Sequence, residues 1–159
     1  MGSGKTTVAR ALAKRLGREL FDLDDAIWQA NHRSPQEIIE IDGEEAFREL
    51  ETELLEKILT QNSNSVIALG GGTWTLARNR ELLARFDALT IWLDARFELC
   101  WQRIEAGGKT RPLAPTREIA ESRYAERIHH YQTANLRIEV SPDEGPEKIA
   151  ERIATLVFV

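Results

Sequence analysis

Short apolar runs alternate with helical periods along the whole chain, and this alternation limits the possible folds more than any other feature. The runs that resemble strands are 20–24, 66–69, 89–93 and 136–140, and amphipathic helical spacing follows each of them. Strands separated by helices pair in parallel and carry helices on both faces of the sheet. We therefore predict an α/β fold, a three-layer α/β/α arrangement around a parallel sheet, in a single domain over residues 1–159.

The composition is that of an ordinary globular protein. Hydrophobic residues make up 42% of the chain and charged residues 30%, with a net charge of −5. This charge gives no general attraction to nucleic acid or to an anionic membrane. No apolar run approaches the roughly 20 residues that span a bilayer, and the single cysteine, Cys100, fits a reducing compartment. We expect a cytoplasmic protein without nucleic-acid or membrane partners.

The chain opens on the end of a phosphate-binding loop. Gly4-Lys5-Thr6 matches the last part of the motif G-x-x-x-x-G-K-[ST]. Lys5 would reach the transferred phosphoryl group, and the Thr6 hydroxyl would bind Mg²⁺. An ordinary glycine turn with a solvated lysine is the alternative. The predicted ATP-binding residues of this loop are Gly2, Ser3, Gly4, Lys5, Thr6 and Thr7.

The first glycine of that motif, and the strand that normally delivers the loop, would precede Met1. We therefore expect the functional protein to start upstream. A chain without that strand is expected to be less stable and less active, because a central strand supports both of its neighbours.

Acidic residues and glycines follow two of the predicted strands. Asp22 and Asp24 are two residues apart, so on one strand their carboxylates would share a face. One can organise hydrated Mg²⁺ and the other can accept the proton of a substrate hydroxyl. Helix capping is the alternative, with Asp25 as the cap. Gly70–Gly72 allow a ligand to approach the backbone closely, although a flexible connector would have the same composition.

Three arginines have different predicted environments. Arg48 lies beside Phe47 on an apolar helix stripe, so its side chain should point along the core margin toward Glu51 or a ligand carboxylate. Arg111 lies in a Gly/Pro-rich segment, a predicted mobile lid over about 107–117, where a cation can close over phosphates. Arg127 lies in a polar helix, for which a solvated face is the default interpretation.

Together these segments resemble the shikimate kinase family in order and spacing over essentially the whole chain. The matching motifs are Phe21-Asp22-x-Asp24, Gly43-Glu44-x-x-Phe47-Arg48-x-x-Glu51, Gly70-Gly71-Gly72, Arg111-Pro112-Leu113 and Arg127-x-x-x-Tyr131. The resemblance implies a P-loop kinase fold with five parallel strands, of which the first and central one is missing here. It also implies ATP- and Mg²⁺-dependent phosphorylation of the shikimate 3-hydroxyl, a step of chorismate and aromatic amino-acid biosynthesis.

The resemblance also implies roles for individual residues. Asp24 would bind the substrate hydroxyls and act as base, and Asp22 would support Mg²⁺ through water. Arg103 would stack on adenine. The implied catalytic residues are Lys5, Asp24 and Arg111, the last of which would also contact ATP. The implied substrate-binding residues are Asp24, Arg48, Gly70, Gly71, Gly72 and Arg127, and the implied substrate-binding segment covers about 25–52.

Other functions stay open because the chain departs from the family pattern. Trp28 stands where the family usually has glutamate, and Pro35 and Ile39 change a pocket-lining segment. A kinase for another small polyol such as gluconate is one alternative, although the pair of Arg48 and Arg127 favours shikimate. A catalytically silent binding protein on a kinase fold is the other, because the phosphate loop is incomplete. We expect an enzyme that acts as a monomer.

Overall fold

The computed structural model describes residues 2–107 and 115–157, and the chain divides into two compact units. The terminal unit consists of Met1–Leu16 with Leu89–Val159, and the central unit consists of Gly17–Ala88. In chain order the elements are α1 (Lys5–Leu16), β1 (Glu19–Asp22), α2 (Leu23–Asn31), α3 (Pro35–Asp42), α4 (Glu44–Gln61), β2 (Ser65–Ala68), a 3₁₀ turn (Thr73–Thr75), α5 (Ala77–Arg85), β3 (Ile91–Ala95), α6 (Phe97–Ala106), α7 (Arg117–Tyr131), β4 (Leu136–Val140) and α8 (Pro146–Val157).

The terminal unit contains the parallel pair of β3 and β4. Ile91 lies opposite Leu136, and the register continues to Ala95. At the start of the pair, the Asn135 side chain accepts hydrogen bonds from the backbone N–H and the hydroxyl of Thr90, at 2.9 and 2.6 Å. These bonds tie the two strand starts together. α1 packs against α8, and the buried apolar side chains of this unit include Val8, Leu12, Leu93, Ile138, Ile149 and Ile153.

The central unit contains the parallel pair of β1 and β2, in which Glu19 lies opposite Ser65 and Asp22 opposite Ala68. Its core forms where the apolar stripes of α2, α3, α4 and α5 meet, because each stripe must be covered by another element. The buried members of this core are Leu23, Ile27, Ile38, Phe47, Leu55, Ile58, Leu59, Leu82 and Leu83. The glycine segment follows β2, at the carboxyl end of the strand, as predicted.

A capping box begins α3, where Ser34 followed by Pro35 is the sequence pattern of a helix start. The Ser34 hydroxyl accepts a hydrogen bond from Glu37 N at 3.2 Å, and a Glu37 carboxylate oxygen accepts one from Ser34 N at 2.7 Å. The hydrogen bond from the Ser34 backbone, followed by that from its hydroxyl, lowers the pKa of Glu37. A lowered folded-state pKa means that this cap stabilises the fold above the unfolded-state pKa and is lost as the pH falls through the folded-state pKa.

Helical spacing of apolar residues over 5–16 and 44–61 in the sequence coincides with α1 and α4. Both strand pairs are parallel, as the strand–helix alternation predicts. Within 2–107 and 115–157, none of the helices has the length and apolar character needed to cross a bilayer.

Candidate active site

The N-terminal loop of the terminal unit turns sharply before α1. Gly2 and Gly4 have φ angles of +68° and +89°, in the region that favours glycine. A Cβ atom on Gly2 would overlap the carbonyl oxygen of Cys100, so this position excludes a side chain. The first helical hydrogen bond runs from Val8 N to Gly4 O at 2.9 Å. The loop therefore leads directly into a helix N-terminus, where N–H groups and the helix dipole favour an anion.

The first turn of α1 carries the predicted triphosphate and magnesium ligands. Lys5 is half-buried there, whereas Thr6 and Thr7 are exposed. Ser3, just before this turn, is only 9% exposed, so the loop is packed rather than loose. The structure thus places the motif's lysine and threonine on the helical turn that phosphate binding requires.

The two aspartates lie at the start of α2 rather than side by side on a strand. β1 ends at Asp22 and the helix begins at Leu23, so the prediction that both carboxylates share one strand is wrong. The reason is capping: the Asp22 carboxylate is the N-cap and accepts a hydrogen bond from Asp24 N at 3.0 Å. The expected cap, Asp25, lies in the first turn instead. Asp24 is exposed in the same turn, where the helix dipole favours its charge.

Gly70 brings together side chains from three parts of the central unit. A Cβ atom built on Gly70 would lie 3.0 Å from a carboxylate oxygen of Glu51, 3.0 Å from the Thr73 hydroxyl and 3.5 Å from a carboxylate oxygen of Asp24. The missing side chain therefore permits close approach, as predicted for this segment. It leaves Asp24 next to the backbone that follows β2.

Arg48 lies against Gly72 and is held there by its own helix. Its guanidinium donates to Glu51 at 2.8 Å and to Glu44 at 3.2 Å, and it lies 5.0 Å from the ring centroid of Phe47. A Cβ atom on Gly72 would overlap this guanidinium. Arg48 thus points along the core margin toward Glu51, as predicted, with an 11% exposed side chain.

Glu51 is fully buried and links Arg48 to the glycine segment. One Glu51 carboxylate oxygen binds Arg48, and the other accepts a 2.5 Å hydrogen bond from the Thr73 hydroxyl. Asn79 in turn donates to the Thr73 carbonyl at 2.9 Å and accepts from the Thr52 hydroxyl at 2.8 Å. Sequence reasoning missed Thr73 and Asn79 altogether. The available signal was a glutamate within the apolar stripe of α4, a position where a carboxylate needs partners.

Arg127 lines a cavity between α6 and α7 in the terminal unit. Its walls also include Phe97, Cys100, Tyr124 and Tyr131. Arg127 is 8% exposed, so its interpretation as a solvated residue is wrong; the face of α7 that carries it packs toward α6. Among the described residues no carboxylate forms an ion pair with it. Burial raises the pKa of the Cys100 thiol, so the cysteine that lines this cavity is neutral.

Comparison with known proteins decides the family. A family model described as shikimate kinase matches residues 1–157. The chain belongs to the shikimate kinase family. A shikimate kinase of Synechococcus sp. (strain CC9605) is 40% identical over 160 residues, which cover 99% of this chain and 78% of that relative.

Solved shikimate kinases share the fold. The enzyme from Acinetobacter baumannii, solved in complex with shikimate, superimposes with a TM-score of 0.91 at 33% identity, covering 99% of this chain and 88% of that chain. The enzyme from Bacteroides thetaiotaomicron gives a TM-score of 0.90 at 26% identity, with 100% and 94% covered. The predicted α/β class, a P-loop kinase fold with parallel strands, is thereby confirmed.

Part of the predicted shikimate kinase site lies outside the described residues. Arg111 and most of the expected lid over 107–117 fall within 108–114, so the placement of this cation over phosphates stays a prediction. The same holds for a single domain over 1–159, since the described chain divides into the two units above.

The two predicted magnesium ligands fit that ion by their chemistry. Thr6 offers an exposed hydroxyl on the first turn of α1, and Asp22 offers a carboxylate at the end of β1. Mg²⁺ prefers such oxygen donors and usually keeps several waters alongside substrate phosphates. The capping bond that Asp22 accepts from Asp24 N is compatible with a role through water.

Proposed function

We propose that this chain transfers the γ-phosphoryl group of ATP to the 3-hydroxyl of shikimate, yielding shikimate 3-phosphate and ADP for chorismate and aromatic amino-acid biosynthesis. The observation that carries the proposal is the assembly of Asp24 and Arg48 against the glycine segment of the central unit. A small anionic polyol needs a carboxylate to hold its reacting hydroxyl and a cation to hold its own carboxylate. The shikimate bound to the Acinetobacter baumannii relative supports the same choice of substrate.

Asp24 acts on the acceptor. Its carboxylate accepts the proton of the 3-hydroxyl while the hydroxyl oxygen forms its bond to the γ-phosphorus atom. The bond from that phosphorus to the bridging oxygen of ADP breaks, and ADP carries away the charge. Arg48 and Arg127 hold the shikimate carboxylate, and the Gly71 backbone contacts the ring. Phosphoryl transfer needs little more than such positioning and charge stabilisation.

The N-terminal loop and α1 act on the donor. The N–H groups of the loop and of the first helical turn bind the β- and γ-phosphates, and the Lys5 ammonium follows the transferred group. Arg111 supplies a further cation over the phosphates. Thr6, with Asp22 through water, would hold Mg²⁺, which neutralises phosphate charge when bound.

The activity is tested by measuring ADP release from ATP by the purified protein, with shikimate or gluconate as the acceptor. Phosphorus NMR then identifies the phosphorylated product. We expect turnover with shikimate and a phosphomonoester at its 3-hydroxyl. Turnover with gluconate alone would favour a kinase for another polyol. If the protein melts cooperatively but consumes no ATP with either shikimate or gluconate, a silent binding protein is favoured.

A monomeric, cytoplasmic enzyme is part of the proposal. Every residue assigned to the reaction comes from one chain, and the single cysteine, Cys100, is typical of a reducing compartment. Sedimentation equilibrium of the purified protein tests the monomer.

Gly72→Ala should raise the KM for shikimate about tenfold to a hundredfold and leave the Kd for ATP unchanged. Gly72 has φ −96° and ψ −15°, which alanine adopts without strain. The new methyl group would lie on the Arg48 guanidinium. Arg48 must then move and give up its bond to Glu51, and with it the charge-assisted contact to the substrate.

Gly145→Ala is the matched control for this change. A Cβ atom on Gly145 has Glu147 as its nearest neighbour, at an ordinary 3.7 Å. Steady-state kinetics of both variants, with shikimate and ATP varied in turn, measure the effect. An unchanged KM for shikimate in Gly72→Ala would contradict the assignment of Arg48.

A further inference from the structure

Arg103 contacts the phosphate-binding loop rather than solvent. It lies on α6, and its Nη1 atom donates to the carbonyl oxygens of Ser3 at 3.1 Å and Gly2 at 3.4 Å. The same nitrogen lies 3.4 Å from the position of a Cβ atom on Gly4. One side chain from a distant part of the sequence therefore reaches the three residues that precede α1.

The same helix supports the loop a second time, one turn earlier. The backbone carbonyl of Cys100 is in close contact with Gly2, where any side chain would overlap it. Cys100 and Arg103 are three residues apart, so they share a face of α6. This face therefore supports the loop at one point by packing and at another by hydrogen bonding.

Holding these two carbonyls also fixes the direction of two N–H groups. In a planar trans peptide, the carbonyl of one residue and the N–H of the next point in opposite directions, and the described chain has no cis peptide bond. When Arg103 holds the carbonyls of Gly2 and Ser3, the N–H groups of Ser3 and Gly4 point away from α6. These N–H groups belong to the set that the proposed function assigns to the phosphates of ATP.

We propose that Arg103 is a positioning residue for the triphosphate: it orients the loop amides through their carbonyls and so acts on the binding of the phosphates. The role rests on the proposed function, because it presumes that the loop binds ATP. It differs from stacking on adenine, which is a contact with the base and not with the loop carbonyls.

The test compares two magnesium-bound probes by calorimetry, ATP and inorganic tripolyphosphate, which lacks the base. Arg103→Met should raise the Kd of both probes by a similar factor of about ten to a hundred, since two hydrogen bonds to a charged group are lost. Arg103→Lys keeps the charge but not the planar fork, so both Kd values should fall between those of wild type and Arg103→Met. The KM for ATP should rise and the KM for shikimate should stay constant.

Arg96→Met is the matched control, because it removes the same charge from an exposed position at the N-cap of the same helix. It should change neither Kd. A loss of ATP affinity with unchanged tripolyphosphate affinity in Arg103→Met would assign the residue to the base and overturn the proposal. Full recovery by Arg103→Lys would assign the effect to charge alone and also overturn it.

Probe binding by the wild-type protein distinguishes a failure of the Arg103 role from a failure of the proposed function. If it binds both probes but Arg103→Met binds them equally well, the role of Arg103 is wrong and the proposed function stands. If wild type binds neither probe, both are wrong. Should Arg103→Met fail to fold, as judged by circular dichroism, Arg103→Lys against Arg96→Met decides the question with the same two probes.

Discussion

Asp24→Asn is expected to lower kcat with shikimate about 10²- to 10⁴-fold while ATP binding stays unchanged. Asparagine has the same shape as aspartate but cannot take up the hydroxyl proton, and a positioned general base contributes a factor of this size. Its amide can still form a hydrogen bond to the hydroxyl. The KM for shikimate should therefore change much less than kcat, which is the pattern of an interaction made in the transition state.

Asp25→Asn provides the matched control. Asp25 lies in the same first turn of α2, is also exposed, and loses the same charge on substitution. Both variants give up a similar favourable interaction with the helix dipole, so their melting temperatures should agree. Coupled measurement of ADP release compares the two. A kcat for Asp24→Asn within threefold of wild type, or an equal fall in Asp25→Asn, would remove Asp24 from the role of base.

Element types could be predicted from the sequence, but one important boundary could not. The amphipathic stripe of α4 continues over five turns, so its period alone fixes both ends near Glu44 and Gln61. The predicted strand over 20–24 extends two residues too far, because β1 ends at Asp22 and α2 begins at Leu23. A carboxylate after a strand can extend that strand or cap a helix, and the choice depends on which backbone N–H groups need an acceptor. At Asp22 the cap prevails.

The candidate site could also be predicted only in part, because some of its contacts join residues that are far apart in the sequence. Asp24, Arg48 and the glycine segment could be located because each follows a strand or lies on a recognisable stripe. The burial of Arg127 could not, since it depends on α7 packing against α6, and the polar composition of α7 favours a solvated helix. The bond between Glu51 and Thr73 joins residues 22 positions apart, and no local period reports such a pair.

The buried Arg127 predicts opposite effects on activity and stability when it is replaced. Arg127→Met should lower kcat/KM for shikimate roughly 30-fold to 900-fold, because a buried charge pair with the substrate carboxylate is lost. This factor corresponds to a loss of about 2–4 kcal/mol in transition-state stabilisation. The melting temperature should stay constant or rise. Without substrate this guanidinium is buried with no ion-pair partner among the described residues, which carries a desolvation cost. Methionine has a similar length and no charge, so it removes this cost in a cavity lined by aromatic residues.

Arg123→Met on the same helix is the control, since Arg123 is more exposed and does not line the cavity. A shikimate analogue with a hydroxymethyl group in place of the carboxylate tests the pairing directly. Wild type should discriminate strongly against this analogue, and Arg127→Met should handle both acceptors equally poorly, because the interaction that distinguishes them is gone. If Arg127→Met still prefers the carboxylate by the wild-type factor, the guanidinium does not contact it. The cavity would then be a feature of the fold alone.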